Sequence, residues 1–262
     1  MDRWYISLNA LKIDIGETGT TNDAKLKRYI DRASAAIEQV TGKQFIPSTE
    51  TRYFDVPRQS AESLLLDKYL LTLTTLSDDD GEITSGQYWL YPLNTAQKHS
   101  IVLDGDSRTW VYDDDPNKVI SVLGLWGWTN ETANTGITLG AEIATAATTS
   151  VTASGAGIEV GWVLLIDDEQ LFVSAVNVAA LTVRRGVNGT TAAAHDNGAA
   201  IYRYVVPADV EQACAVLASS YNTTTAQAGV SNVKIGEYSQ SFSGGSATEI
   251  ATSLLSSYMS LT

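Results

Sequence analysis

The chain has 262 residues, 44% hydrophobic and 18% charged, which suffices for one large or two modest cores and excludes a disordered chain. Acidic residues number 30 against 17 basic, a net charge of −13, the wrong sign for tight binding to nucleic-acid phosphates. The single cysteine, Cys214, rules out an internal disulfide.

The opening MDRWYISLNALKIDIG lacks the basic region and long apolar run of a secretory signal, and no stretch reaches transmembrane length. A reducing cytoplasm is the expected place of synthesis. This opening reads as a short extended piece. Residues 22–41 then predict a helix, with Leu26, Tyr29, Ile30, Ala33, Ile37 and Val40 on one stripe. Thr21 or Asn22 is positioned to cap its start, Asp23 suits its first turn, and Gly42 suits a left-handed C-cap.

From Thr51 the texture is that of strands: Thr51–Val56, Ser63–Leu66, Leu70–Leu76, Gln87–Tyr91, Ile101–Leu103 and Val119–Leu125. Asp80-Gly81, Asp104-Gly105 and Asp115-Pro116 mark turns between them. Thr135–Arg203 is rich in Ala, Thr, Gly and Val, with strands expected at Ser150–Ala153, Trp162–Ile166, Gln170–Val176, Leu181–Arg184 and Ala200–Tyr204. Such spacing suggests a small barrel or sandwich. Helix signals return at Pro207, with Asp209 and Glu211 in the first turn and Val210, Ala213, Cys214, Leu217 and Tyr221 as the apolar stripe. A Ser/Gly-rich link holding a short strand, Val233–Ile235, leads to a last amphipathic helix, Thr248–Leu261, with Ile250, Leu254, Leu255 and Tyr258 on one face.

Candidate chemistry is sparse. Cys214, flanked by Ala213 and Ala215, reads as a small core residue rather than a nucleophile. His99 and His195 stand alone, without zinc spacing, and read as structural or surface residues. Asp78-Asp79-Asp80, Asp113-Asp114-Asp115 and Asp167-Asp168-Glu169 could offer oxygen ligands to calcium or magnesium, but none fits the calcium-loop pattern, and solvated turns are the expectation. Gly186-Val187-Asn188-Gly189-Thr190 lacks the Lys-Ser/Thr ending of a phosphate loop. Arg184-Arg185 is expected to face solvent or a neighbouring subunit. The sequons at Asn130, Asn188 and Asn222 mean little without secretion. No Gly-x-Ser-x-Gly element supports a triad. No catalytic residue, metal or cofactor is therefore expected.

The order of these pieces resembles one family. Ala33-Ser34-Ala35-Ala36-Ile37-Glu38 runs to Thr41-Gly42-Lys43-Gln44-Phe45. Tyr53-Phe54-Asp55, Gln87-Tyr88-Trp89-Leu90 and Val119-Ile120-Ser121-Val122 follow, then Trp126-Gly127-Trp128 and Val206-Pro207-Ala208-Asp209-Val210-Glu211-Gln212-Ala213. Over roughly residues 1–130 and 205–262 this is similar to the head–tail connector (adaptor, or head-completion) proteins of tailed bacteriophages. The resemblance implies an α+β fold. Residues 1–134 and 205–262 would form a small helical bundle with an antiparallel β region, and 135–204 an inserted all-β domain at the periphery. Val183-Arg184-Arg185-Gly186 to His195 also looks like β-rich modules of other phage structural proteins.

The implied role is a virion neck component, a ring of about twelve copies beneath the portal that lines the DNA exit channel. Its partners would be itself, the portal, stopper or tail-completion proteins, and passing double-stranded DNA without sequence-specific binding or any membrane. An acidic lumen would ease DNA passage. Leu26, Ile30, Ile37, Trp126, Trp128, Val210 and Leu217 would form the scaffold. Ile250, Leu254, Leu255 and Tyr258 would dock on the portal or pack on the first helix of their own subunit. Two other readings are a tail protein that binds a receptor or carbohydrate, with Trp162 as an exposed platform, and a hydrolase whose acidic turns converge in a cleft.

Overall fold

The computed structural model describes residues 2–58, 62–153, 157–178, 180–226, 232–235, 238–241 and 246–259. In chain order the elements are α1 (Leu8–Asp14), α2 (Asp23–Thr41), β1 (Ser48–Phe54), β2 (Ser63–Asp78), β3 (Gly81–Glu82), β4 (Tyr88–Tyr91), β5 (Lys98–Leu103) and β6 (Ile120–Trp126). Then come β7 (Thr132–Thr138), β8 (Ser150–Thr152), β9 (Val163–Ile166), β10 (Glu169–Asn177), β11 (Ala180–Arg184) and β12 (Ala200–Tyr204). Helix α3 (Ala208–Ala226), the hairpin β13 (Asn232–Ile235) and β14 (Tyr238–Ser241), and α4 (Ser246–Leu254) follow. The fold is α+β, with helices and antiparallel sheets. It divides into two compact units: residues 1–42, 132–187 and 191–262, and residues 43–131 with 188–190.

In the first unit, α2 packs on α3 through Leu26, Ile30, Ala33 and Ile37, all buried, facing a stripe that includes the buried Val210, Ala213 and Cys214. Leu217 is half-buried. Val40, expected on the stripe, is 57% exposed, because the helix's last turn passes beyond the end of its packed face. Gly42 closes α2 in the left-handed conformation (φ 66°), its N–H donating to the Glu38 carbonyl at 2.8 Å. Asn22 is the N-cap residue but makes no side-chain cap; its amide donates to Glu17 instead, at 3.0 Å.

The N-terminal stretch is not merely extended. Ser7 caps α1, its hydroxyl accepting the Ala10 N–H at 3.0 Å, and Leu8 and Leu11 are buried. Seven residues are too few for helical periodicity to stand out. Ahead of α1, Trp4, Tyr5 and Ile6 are buried, and the Tyr5 hydroxyl donates to Glu38 at 2.7 Å.

The sheet of this unit runs β7-β12-β9-β10-β11-β8, all antiparallel. Its core includes Leu139, Val151, Leu164, Ile166, Leu171, Val173 and Ile201. Strand β7, TANTGIT, carries little strand signal in the sequence, being mostly Thr, Asn and Gly, and its register against β12 shifts at Ile201/Tyr202.

The second unit holds a sheet in the order β1-β6-β2-β5-β4, with β3 on β2. Ser63–Asp78 is one strand of 16 residues, not two. Its first part pairs with β5 and its second with β6, and an irregularity between Leu65 and Leu70 absorbs the polar Asp67-Lys68 where sequence alone suggests a break. The Gly124–Trp128 motif explains itself here. Trp126 is fully buried, its indole N–H donating to the Glu50 carbonyl at 3.0 Å. Gly124 lies opposite Glu50 on one side and Leu73 on the other, and an added Cβ would collide with the Thr72 carbonyl oxygen. Half-buried Trp128 stacks edge-on to Tyr69 and takes the buried Lys43 ammonium on its face at 4.3 Å. Burial pushes the Lys43 pKa down.

Gly124→Ala should therefore lower the unfolding free energy by about 2 kcal/mol or more, since the collision is with backbone. Chemical denaturation of the purified variant measures it; an unchanged midpoint would contradict the crowding.

Candidate functional site

The densest polar cluster among the described residues sits at one end of the first unit's sheet, centred on Glu169 at the start of β10. Glu169 follows a tight turn in which Asp167 takes a positive φ of 51°. Its carboxylate receives Arg185 in a bidentate pair, Nε to Oε1 and Nη2 to Oε2, each at 2.6 Å. It also accepts the N–H groups of Gly186 and Ala193 at 2.9 Å, and lies 2.8 Å from His195 Nε2. His195 Nδ1 lies 2.7 Å from Asp167. Each ring nitrogen faces a carboxylate, so the ring donates on both sides only when both carry a proton.

The remaining bonds of Arg185 go to backbone carbonyls: Thr148 at 3.1 Å and Thr145 at 3.4 Å through Nη1, and Ala193 through Nη2. His195 and Ile143 exchange both backbone hydrogen bonds, at 2.8 and 3.0 Å. One carboxylate thus ties together the segment before β8, the turn before β10 and the segment between β11 and β12. Burial alone would raise the Glu169 pKa; Arg185, Ala193 N–H, His195 and Gly186 N–H outweigh it and hold it at about 2.

The side chains of Glu169 and His195 are each 1% exposed. Both carboxylate oxygens of Glu169 are engaged and closed off from solvent. The cluster has the membership of an acid–base site and the geometry of a lock.

This overturns two expectations. Asp167-Asp168-Glu169 is not a wholly solvated turn, because Glu169 points inward to a guanidinium. Arg185 does not face solvent or a neighbour, its side chain being 4% exposed. Arg184 is the half-exposed member of the doublet; it pairs with Asp2 and lies 4.5 Å over Phe172. The pattern Asp-x-Glu with Arg-Gly and a later His is present in the sequence, but only strand pairing shows that it converges.

One of the other two acidic runs departs from the solvated-turn expectation as well. Asp78 is 7% exposed and accepts Arg108 Nη2 at 2.6 Å and the Val111 N–H at 3.0 Å, and Asp79 accepts the Asp113 N–H at 3.1 Å. That run grips residues 108–113 rather than standing in solvent. Asp113-Asp114-Asp115 is exposed, as expected of a solvated turn. No group of three or more His, Cys, Asp or Glu is arranged to hold a metal among the described residues.

His99 is exposed on β5. Cys214 is buried beside Ser34, at 3.5 Å, and burial pushes its thiol up to about 12. Trp162 is not an exposed platform: it packs against the sheet core with Arg203 4.5 Å over its ring. In α4 and the turn after it, Ala251 and Leu255 are buried, Leu254 and Tyr258 half-buried, and Ile250 51% exposed. The helix packs on α3 rather than on the first helix, and it ends at Leu254 with a single 3-10 turn, Ser256–Tyr258, beyond it. Residues 242–245 of the link before it lie outside the described residues.

Comparison with protein-family models and with curated proteins finds no match. No described helix is long and apolar enough to cross a membrane.

Glu169→Gln should cost about 3–5 kcal/mol, because Arg185 is left buried without its charge partner. Since the folded pKa is depressed, the stabilisation by Glu169 is complete above the ordinary value of 4.5 and is lost as the pH falls from there towards about 2. Denaturation midpoints of wild type and variant should converge over that window. Ending the chain before Ala247 should remove about 2–4 kcal/mol by stripping the buried Leu255 and Ala251 from α3. An unchanged melting temperature would instead mark α4 as a free docking arm.

Proposed function

We propose that this chain is a structural virion protein of a tailed bacteriophage, a head–tail connector that assembles into a ring of about twelve copies under the portal. The observation that carries the reading is the set of exposed apolar side chains along edge strand β4 of the second unit's sheet, with a single exposed tyrosine on the opposite edge. On edge strand β4 and just after it, Trp89 is 56% exposed, Tyr91 38% and Leu93 57%; on the opposite edge strand β1, Tyr53 is 64% exposed. A sheet with an exposed apolar edge and a different opposite edge suits head-to-tail association, and head-to-tail contacts that close make rings.

The acid excess supports a wall past which DNA slides without adhering. The finer architecture belongs to the same reading: a helical bundle with an antiparallel β region, plus a small β barrel in residues 135–204. The bridge Leu139↔Ala153 and the Gly140 N–H to Thr152 carbonyl bond, 2.9 Å, join the residues following β7 and β8, the two ends of that sheet, and favour the barrel over a sandwich. Portal, stopper or tail-completion proteins and passing double-stranded DNA are the partners this role requires.

Negative-stain imaging and native mass spectrometry of the full chain, alone and mixed with a tailed-phage portal ring, test the reading. Rings or portal-capping particles are expected. Trp89→Ser with Leu93→Ser should abolish them with less than about 1 kcal/mol change in stability, because both side chains are already exposed. A strictly monomeric chain that ignores the portal would refute the role.

A further inference from the structure

The second unit contains a pocket of about 650 Å³ between the residues after β1 and the segment before β6. Its size falls in the range of roughly 300–1,000 Å³ typical of small-molecule sites. Two backbone ties hold the walls together: the Val56 N–H donates to the Pro116 carbonyl at 2.8 Å, and the Lys118 N–H donates to Asp55 Oδ1 at 2.9 Å. The far wall is anchored separately, by Arg108 and the Val111 N–H on Asp78. The walls formed by residues 55–56 and 108–118 are thus fixed.

The lining combines two aromatic rings, Trp110 and Tyr112, with Asp55, Arg58, Glu62 and Asn117. Tyr112 is 47% exposed, and Trp110 is half-buried against the sheet core. Trp110 Nε1 is buried and has no hydrogen-bond partner among the described residues. The Asn117 amide nitrogen donates to Asp115 at 2.5 Å, which leaves its carbonyl oxygen as an acceptor.

We propose that this pocket binds a neutral saccharide, independently of the ring role. Two carboxylates beside one guanidinium disfavour phosphate and other anions, while the guanidinium disfavours a cation. The lining offers a donor (guanidinium) among acceptors (carboxylates, amide carbonyl). That mixture suits hydroxyl groups, each of which both donates and accepts. The tyrosine ring presents an apolar face to the C–H side of a pyranose while its neighbours take the hydroxyls at the edge. A peptide would find no extended row of backbone partners on the described walls.

The test uses the full chain on an array of neutral, sialylated and phosphorylated glycans with peptide controls, followed by calorimetric titration of any neutral hit. The expected result is saturable binding to at least one neutral glycan, with a change in tryptophan fluorescence. Tyr112→Ala should weaken that binding at least tenfold at unchanged melting temperature. Arg58→Ala, at a second exposed position, should weaken it as well and serves as the readout should the first variant fail to fold. Absence of any neutral-glycan binding overturns the proposal. So does binding confined to acidic glycans or peptides, or neutral-glycan binding that survives substitution at both positions.

Discussion

A carboxylate removed from water must be matched nearly atom for atom, and Glu169 is. Its two oxygens collect a guanidinium, two backbone N–H groups and an imidazole. None of those partners lies on the same strand. The chain reaches them only by bringing the segment after β11 back over the turn before β10, and Arg185 then draws in the Thr145 and Thr148 carbonyls from before β8. The apolar alternation of the strands says which face is inside. The carboxylate says how the irregular segments at that end are joined. The regular structure in residues 185–195 is the short 3-10 turn Val187–Gly189, and Glu169 fixes the connection on both sides of it, through Gly186 and Ala193.

The helices and most strands were legible because their signals are local. Leu26, Ile30 and Ile37 repeat at helical spacing, and Gly42 ends the run with the conformation that glycine alone adopts freely. The failures share a cause. Helix α1 is shorter than two full periods, β7 is written in Thr, Asn and Gly, and the break expected at Asp67-Lys68 is an irregularity within a continuous strand. In each case partner strands or packed neighbours override weak local preference. Val40 and Trp162 fail in the opposite sense. Periodicity places Val40 on a face that the core does not extend to cover, and a tryptophan beside a turn looks exposed until Arg203 is seen across it.

The second unit is organised differently. Its core is confined to one side of the sheet, around Leu70, Leu76, Ile101, Ile120, Val122 and Trp126. Crowding at Gly124 brings β6 close to β2, and Trp126 occupies the space beneath β1. Phe54 and Tyr88 of the edge strands pack on that core, while Tyr53, Trp89 and Tyr91 alternate with them and stay exposed. Exposed apolar side chains scattered singly are ordinary on protein surfaces. Three of them along and beyond one short edge strand, with a tyrosine on the opposite edge, are a different matter, because edge strands invite pairing and proteins normally blunt them with charge.

Three acidic runs that look alike in the sequence have three fates, and the difference lies in distant basic residues rather than in the runs themselves. Asp167-Asp168-Glu169 meets Arg185 and turns its last carboxylate inward. Asp78-Asp79-Asp80 meets Arg108 and turns its first inward, while Asp80 stays outside at 3.1 Å from the same guanidinium. Asp113-Asp114-Asp115 meets no arginine among the described residues and stays in water. A bidentate guanidinium is the group best able to compensate a buried carboxylate, because its planar fork satisfies both oxygens at once. Where an arginine comes within reach, with both prongs on Glu169 or with its prongs divided between Asp78 and Asp80, an acidic run becomes an anchor for an irregular segment. Where it does not, the run keeps its charge on the surface and feeds the net charge of −13.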